Sequence, residues 1–146
     1  MKRLNTAITL NTLVALVCLV IGINYLFRST VTTYHLTAIG VDWETLAEGV
    51  QLLLVILMKG TGDALVVMAV SILILTWIPL RQRQNWAPLA ILVIGAACLV
   101  PMLVGAIIVA SRTGAASPWG LNALLLSMLA VSAALTWRRP GTLPAP

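Results

Sequence analysis

Four long apolar segments make up most of this chain and limit what it can fold into. They lie at residues 4–27, 61–80, 86–110 and 118–137. Each segment reaches or approaches the length of about 20 residues that a helix needs to cross roughly 30 Å of hydrocarbon. Only 9% of the residues are charged, against about a quarter in a typical soluble domain. The pattern predicts an all-α fold, an integral membrane four-helix bundle formed by a single domain over residues 1–139.

The placement of the basic residues predicts the orientation of these spans. If the N-terminus is cytoplasmic, six of the nine basic residues lie on the inner side, namely Lys2, Arg3, Arg81, Arg83, Arg138 and Arg139. The other three, Arg28, Lys59 and Arg112, lie outside, and all four acidic residues fall within the outer segment 42–63. Lys and Arg are enriched in the short cytoplasmic loops of membrane proteins. We therefore expect both termini in the cytoplasm, and a short-looped protein of this size suits a bacterial inner (plasma) membrane.

The segment between the first two spans predicts an extra helix on the outer side. Apolar residues recur at helical spacing over residues 43–58, and the Gly-Thr-Gly sequence at 60–62 then favours a break. A single centred helix would place Lys59 and Asp63 in lipid, at a cost of roughly 2.5–3.5 kcal/mol each on insertion scales. We therefore predict a separate interfacial or re-entrant helix at 43–58, which ends before the second span.

Two further segments are expected to lack regular structure. Residues 29–40 are rich in threonine and other β-formers, which favours an extended or irregular conformation. Residues 140–146 contain three prolines and a glycine, so a disordered cytoplasmic tail is predicted there.

Polar and special residues near the outer side form the candidate ligand-binding set. Its members are Asn24, Tyr25, Trp43, Glu44, Glu48, Lys59, Asp63 and Pro101. Glu44 and Glu48 are four residues apart and would share one face of a helix, and Lys59 could reach an acid once the chain turns at the glycines. The charged members are interpreted first as ion pairs facing water or headgroups, and alternatively as an outward-facing pocket. Pro101 inside a span indicates a structural kink or a widened cavity.

No catalytic residue, metal site or cofactor is predicted. His35 is the only histidine, whereas a catalytic zinc site needs three protein ligands. Cys18 and Cys98 do not form a C-x-x-C pair, and each is interpreted as a small buried hydrophobe. The net charge of +5 does not indicate nucleic-acid binding, because the basic residues cluster at span ends instead of along one soluble face.

Three functions are compatible with these features. The favoured hypothesis is a non-catalytic membrane protein that acts through lipid or protein contacts, with a second copy of the chain or another membrane protein as partner. The alternative is a binder or carrier of a small hydrophobic molecule, such as a lipid, quinone or sterol-like compound, in an outward-facing cavity. A membrane enzyme that uses Glu44, Glu48 or His35 as acid or base is the third hypothesis.

A pattern in the middle of the chain resembles a known group of proteins. It consists of Trp-Glu-Thr-Leu from Trp43, Gln-Leu-Leu from Gln51, Lys59-Gly60, Pro-Leu-Arg from Pro79 and Asn-Trp-Ala-Pro from Asn85. It is similar to uncharacterised bacterial four-helix inner-membrane proteins, and the resemblance covers about residues 43–90. It implies an outer helix before the second span and a proline-basic turn before the third, and it implies no activity or catalytic residue.

Overall fold

The computed structural model describes residues 2–137, and helices account for 84% of them, with no strand in that range. The helices in chain order are α1 (Lys2–Phe27), α2 (Thr33–Ile39), α3 (Glu48–Leu75), α4 (Ala87–Thr113) and α5 (Trp119–Thr136). A 3-10 turn at Trp43–Thr45 precedes α3, and a π-helical segment at Thr76–Leu80 continues it. The predicted disordered tail at 140–146 lies outside the described residues.

Four of these helices are long and apolar enough to cross a membrane, as the sequence predicted. They are α1, α3 with its π-helical continuation, α4 and α5. α1 packs against α3 and α5, and α4 packs against the same two helices. Each long helix therefore has two long neighbours. The buried core between them consists mainly of aliphatic side chains, among them Val14, Leu65, Ile72, Ile91, Leu99 and Leu129.

α3 runs through the glycines without a break, so the prediction of a separate helix at 43–58 is wrong. Gly62 has a packing role instead, because it faces Gly22 of α1. A Cβ on Gly62 would lie 2.8 Å from the carbonyl oxygen of Gly22, and a Cβ on Gly22 would lie 2.7 Å from that of Gly62. Glycine at both positions lets the two backbones approach this closely.

The pairing of α1 with α3 also explains why Lys59 and Asp63 do not force a break. Gly62 lies against Leu26, and Gly22 lies against Val66. The two helices are therefore antiparallel, and Lys59 lies about level with the last turn of α1 and not beside its centre. Both Lys59 and Asp63 are exposed. The part of α3 that precedes Lys59 extends beyond the end of α1.

A short helix occupies part of the segment that was expected to be extended or irregular. α2 ends at Gly40, which adopts φ +76° and donates its N–H to the carbonyl of Leu36 at 2.9 Å. This left-handed glycine is a common way to end a helix. α2 contacts α4 and shares a cavity lining with α3 and α4. It therefore lies between the ends of these two long helices.

The link between α3 and α4 is shaped by Pro79. Proline has no N–H to donate, and the helix widens here, so that the N–H of Arg81 donates to the carbonyl of Thr76 at 3.3 Å. The chain then turns through Arg83, which has φ +61°. α4 begins immediately afterwards with Ala87 and Pro88.

Candidate functional site

Two adjoining cavities lie where α2 meets the long helices. The first has a volume of about 380 Å³ and is bounded mainly by α1, α4 and the start of α5. The second has a volume of about 530 Å³ and is bounded mainly by α2, α3 and α4. Because both are lined by Tyr25, Tyr34, Met102, Pro118 and Asn122, they meet at these side chains.

The lining of both cavities is mostly apolar, with a few polar groups. The first cavity is lined by Val20, Ile21, Leu65, Leu99, Leu121 and Leu125, and the second by Leu54, Leu57, Met58, Ala106 and Val109. The polar groups are Asn24, Tyr25, Thr32, Tyr34, His35, Thr61, Thr113 and Asn122. No Asp, Glu, Lys or Arg among residues 2–137 lines either cavity. Volumes and linings of this kind are typical of sites for small, largely apolar ligands.

The polar groups on α2 are held in place by neighbouring side chains. The Thr32 hydroxyl lies 2.6 Å from His35 Nδ1, and it donates to that nitrogen when the ring carries its proton on Nε2. The Tyr34 and His35 rings have centroids 3.9 Å apart. Burial is the main cause that raises the pKa of Tyr34, and the neighbouring Tyr25 hydroxyl raises it further. Burial lowers the pKa of His35. At neutral pH the α2 side of the cavities therefore presents neutral hydrogen-bonding groups.

Asn122 is the most deeply buried polar side chain in the cavity lining. It is 6% exposed and lies in the first turn of α5, where its backbone N–H donates to the carbonyl of Pro118 at 3.2 Å. The fully buried polar atoms without a partner among residues 2–137 belong to Asn11, Thr12 and Thr76 and not to Asn122. The amide of Asn122 can hydrogen-bond a molecule in the cavities as both donor and acceptor. Because Asn122 lines both cavities, its amide is available to a molecule that occupies them.

The structure brings together only part of the set predicted from the sequence. Asn24 and Tyr25 line the first cavity. Pro101 is exposed and lines neither cavity, whereas the adjacent Met102 lines both. The other predicted residues also lie outside the two cavities, and they are Trp43, Glu44, Glu48, Lys59 and Asp63.

The acidic pair does not share a helix face, because Glu44 and Glu48 belong to different elements. Glu44 is in the 3-10 turn, and Glu48 opens α3. Gln51 joins the two elements, since its Nε2 donates to the carbonyls of Trp43 at 2.8 Å and Leu46 at 3.1 Å. Both carboxylates are exposed. Within residues 2–137, no group of three or more His, Cys, Asp or Glu side chains could hold a metal ion.

Sequence reasoning missed Thr32, Tyr34, His35, Met102 and Asn122 as members of one site. Tyr34 and His35 of α2 were assigned to an irregular segment, so their shared position beside the second cavity could not be predicted. For Asn122 a signal was present, since it is an amide in an otherwise apolar segment, and such polar residues within spans often mark functional sites.

Comparison with protein-family models, curated proteins and solved structures finds no match to this chain. The resemblance over residues 43–90 therefore stays a prediction. Function is inferred from the chemistry of the cavities.

The stability of the protein is expected to fall as the pH drops below about 6.5, the ordinary pKa of histidine. Burial lowers the pKa of His35, so the folded protein binds a proton at this ring less readily than the unfolded chain does. The protonated unfolded chain is then favoured at low pH. Thermal unfolding in detergent at pH 7.5 and pH 5 tests this, with His35→Gln as the variant. A drop in Tm that is equally large in His35→Gln would assign the effect to other groups.

Proposed function

We propose that this chain is a multi-pass protein of the bacterial inner membrane that binds a small hydrophobic molecule with one neutral polar group. The two adjoining cavities beside α2 are the binding site. One observation carries the proposal: Asn122, which is only 6% exposed, lines both apolar cavities. A bound molecule with a carbonyl or hydroxyl group could form a hydrogen bond with its amide.

Three features support a membrane-embedded four-helix bundle with both termini in the cytoplasm. Apolar side chains are exposed along all four long helices, for example Val20, Val67, Val93 and Leu124. Exposed tryptophans lie at or beside helix ends, where indole rings favour the membrane interface: Trp77, Trp86, Trp119 and Trp137. The excess of basic residues at the N-terminal end supports that end as the cytoplasmic one. In this orientation the two cavities lie on the periplasmic side.

The lining indicates the chemistry of the ligand. An apolar wall favours a hydrocarbon or ring system. No charged side chain of the described residues 2–137 lies in the lining, which argues against a ligand with a strongly charged group. The Asn122 amide both donates and accepts, and the tyrosine hydroxyls of Tyr25 and Tyr34 do the same. A lipid, quinone or sterol-like compound with a neutral polar end has this combination. The enzyme hypothesis has less support, because Glu44 and Glu48 line neither cavity.

A role through protein or lipid contacts is the second candidate, and the projecting part of α3 favours it. This part extends beyond α1 and exposes Val50, Leu52, Leu53, Ile56 and Leu57. Such a surface would contact lipid, or an apolar face of another membrane protein.

Native mass spectrometry of protein released from lipid nanodiscs tests the binding proposal. We expect a reproducible small bound mass on the wild-type protein and its loss in Asn122→Leu, because leucine keeps a similar volume but cannot hydrogen-bond the ligand. Asn11→Leu is the matched control. Asn11 is also buried, and its side-chain oxygen has no hydrogen-bond partner within residues 2–137, but it lines neither cavity. The Asn11→Leu variant should therefore retain the bound small molecule.

Two results would contradict the proposal. One is wild-type protein without any bound small molecule and without a thermal shift across a panel of lipids and quinones. The other is equal loss of the bound mass in both asparagine variants, which would show that the mass does not report on these cavities.

A further inference from the structure

A third cavity lies at the opposite end of the long helices, and its lining differs from that of the other two. Its volume is about 290 Å³, and it is formed where the start of α1, the turn before α4 and the end of α5 meet. Among residues 2–137, two arginines line it, Arg3 and Arg83, together with the neutral polar residues Gln84, Asn85 and Thr136. We refer to it as the basic cavity.

The two arginines of the basic cavity have no acidic side chain close by to neutralise them. All four acidic residues of the chain fall within residues 42–63. In the antiparallel pairing of α1 with α3, that segment lies at or beyond the last turns of α1, whereas Arg3 lies in its first turn. Two unneutralised guanidinium groups beside one cavity create a positive potential that favours an anion.

Arg83 occupies a backbone position in the turn before α4 that is unfavourable for arginine. Its φ of +61° is the one left-handed conformation of a non-glycine residue among residues 2–137, and such a conformation is strained for a residue other than glycine. Glycine or asparagine would fit this turn at lower cost. The turn directs Arg83 to the cavity, whereas Arg81 lies over the Trp77 ring with its guanidinium carbon 5.5 Å from the centroid.

We propose that the basic cavity binds the phosphate group of an anionic phospholipid from the adjacent membrane leaflet. Guanidinium groups bind phosphate oxygens through paired, charge-assisted hydrogen bonds, and the amides of Gln84 and Asn85 can donate further ones. Trp137 lines the same cavity at the end of α5, and indole rings favour the headgroup level of a bilayer. Basic pockets between helices at the cytoplasmic surface bind anionic headgroups by this chemistry.

Lipid retention by the full-length protein tests this site. The protein is reconstituted in nanodiscs of phosphatidylcholine with and without phosphatidylglycerol, and retained lipids are counted by native mass spectrometry. We expect retention of phosphatidylglycerol by the wild type and at least about tenfold weaker retention by the Arg3→Gln, Arg83→Asn double variant. Asparagine tolerates the left-handed backbone. The melting temperature in phosphatidylcholine alone should therefore be unchanged or higher, which separates lost binding from misfolding.

Matched variants and a second ligand decide between the outcomes. The Arg28→Gln, Arg112→Gln double variant removes the same charge at the other end of the helices and should retain phosphatidylglycerol as the wild type does. Equal loss in both double variants would overturn the proposal in favour of general electrostatic attraction. As a further test, inorganic phosphate is added to phosphatidylcholine nanodiscs and the melting temperature is measured. If phosphate raises the melting temperature as much as phosphatidylglycerol does, and the Arg3→Gln, Arg83→Asn double variant loses both effects, the site belongs to a soluble phosphate compound. The assignment to a lipid is then wrong.

Discussion

Replacing Gly62 by alanine is expected to destabilise the protein by about 1–3 kcal/mol, the usual range for overpacking a tight contact. The added Cβ would lie 2.8 Å from the carbonyl oxygen of Gly22 and 3.2 Å from the backbone nitrogen of Leu26. These atoms belong to the backbone of α1, so they cannot turn away as a flexible side chain would. The helices must separate, and the aliphatic contacts between α1 and α3 weaken along their length. Thermal or denaturant unfolding in detergent micelles measures the effect.

Gly60→Ala is the matched control, because it makes the same change two residues earlier in the same helix. A Cβ on Gly60 meets nothing within 4 Å, and alanine within a helix is favoured over glycine by about 0.5–1 kcal/mol. Gly60→Ala should therefore leave stability unchanged or raise it, opposite in sign to Gly62→Ala. Destabilisation of similar size at both positions would contradict the close contact, and would favour the flexible break at 60–62 that the sequence alone indicated.

The four long helices could be predicted from the sequence because each signal is summed over many residues. The first apolar segment, 4–27, agrees with α1 at Lys2–Phe27 to within two residues at its start and exactly at its end. A long apolar helix of this kind can be predicted from total hydropathy, which does not require knowledge of the neighbouring helices.

The continuity of α3 could not be predicted in the same way, because it depends on the register between two helices. The case for a break combined the low helix preference of the glycines with the cost of burying Lys59 and Asp63 at the centre of a span. The contact between Gly22 and Gly62 sets a register in which Lys59 lies level with the last turn of α1. The cost of burial is then largely avoided, and helix–helix packing outweighs the preference of the two glycines.

Only two residues of the candidate site, Asn24 and Tyr25, could be predicted from the sequence. Asn24 and Tyr25 were identified because they are polar residues near the end of the first span, a local property of α1. The contribution of His35 depends on the formation of α2, and that of Asn122 depends on how α5 packs against α1 and α4. These are tertiary relationships, and no pattern along the chain encodes them directly.

Replacing Gly105 by phenylalanine is expected to weaken ligand binding at least about tenfold while the protein stays folded. Gly105 lines the second cavity, and a Cβ built on it meets nothing within 4 Å. The aromatic ring can therefore enter the space that the ligand would occupy without displacing the backbone. Phenylalanine also has a higher helix preference than glycine, so the Tm should not fall. The bound fraction measured by native mass spectrometry, together with the Tm without added ligand, checks both parts of the prediction.

Gly120→Phe separates occupation of the cavity from the general effect of an added aromatic ring. Gly120 is also a helical glycine with open space around its Cβ position, and it lines neither cavity. Its variant should bind as the wild type does. Unchanged binding in Gly105→Phe, combined with lost binding in Asn122→Leu, would confine the ligand to the first cavity, because Asn122 lines both cavities and Gly105 only the second. Unchanged binding in both Gly105→Phe and Asn122→Leu would show that the ligand binds in neither cavity.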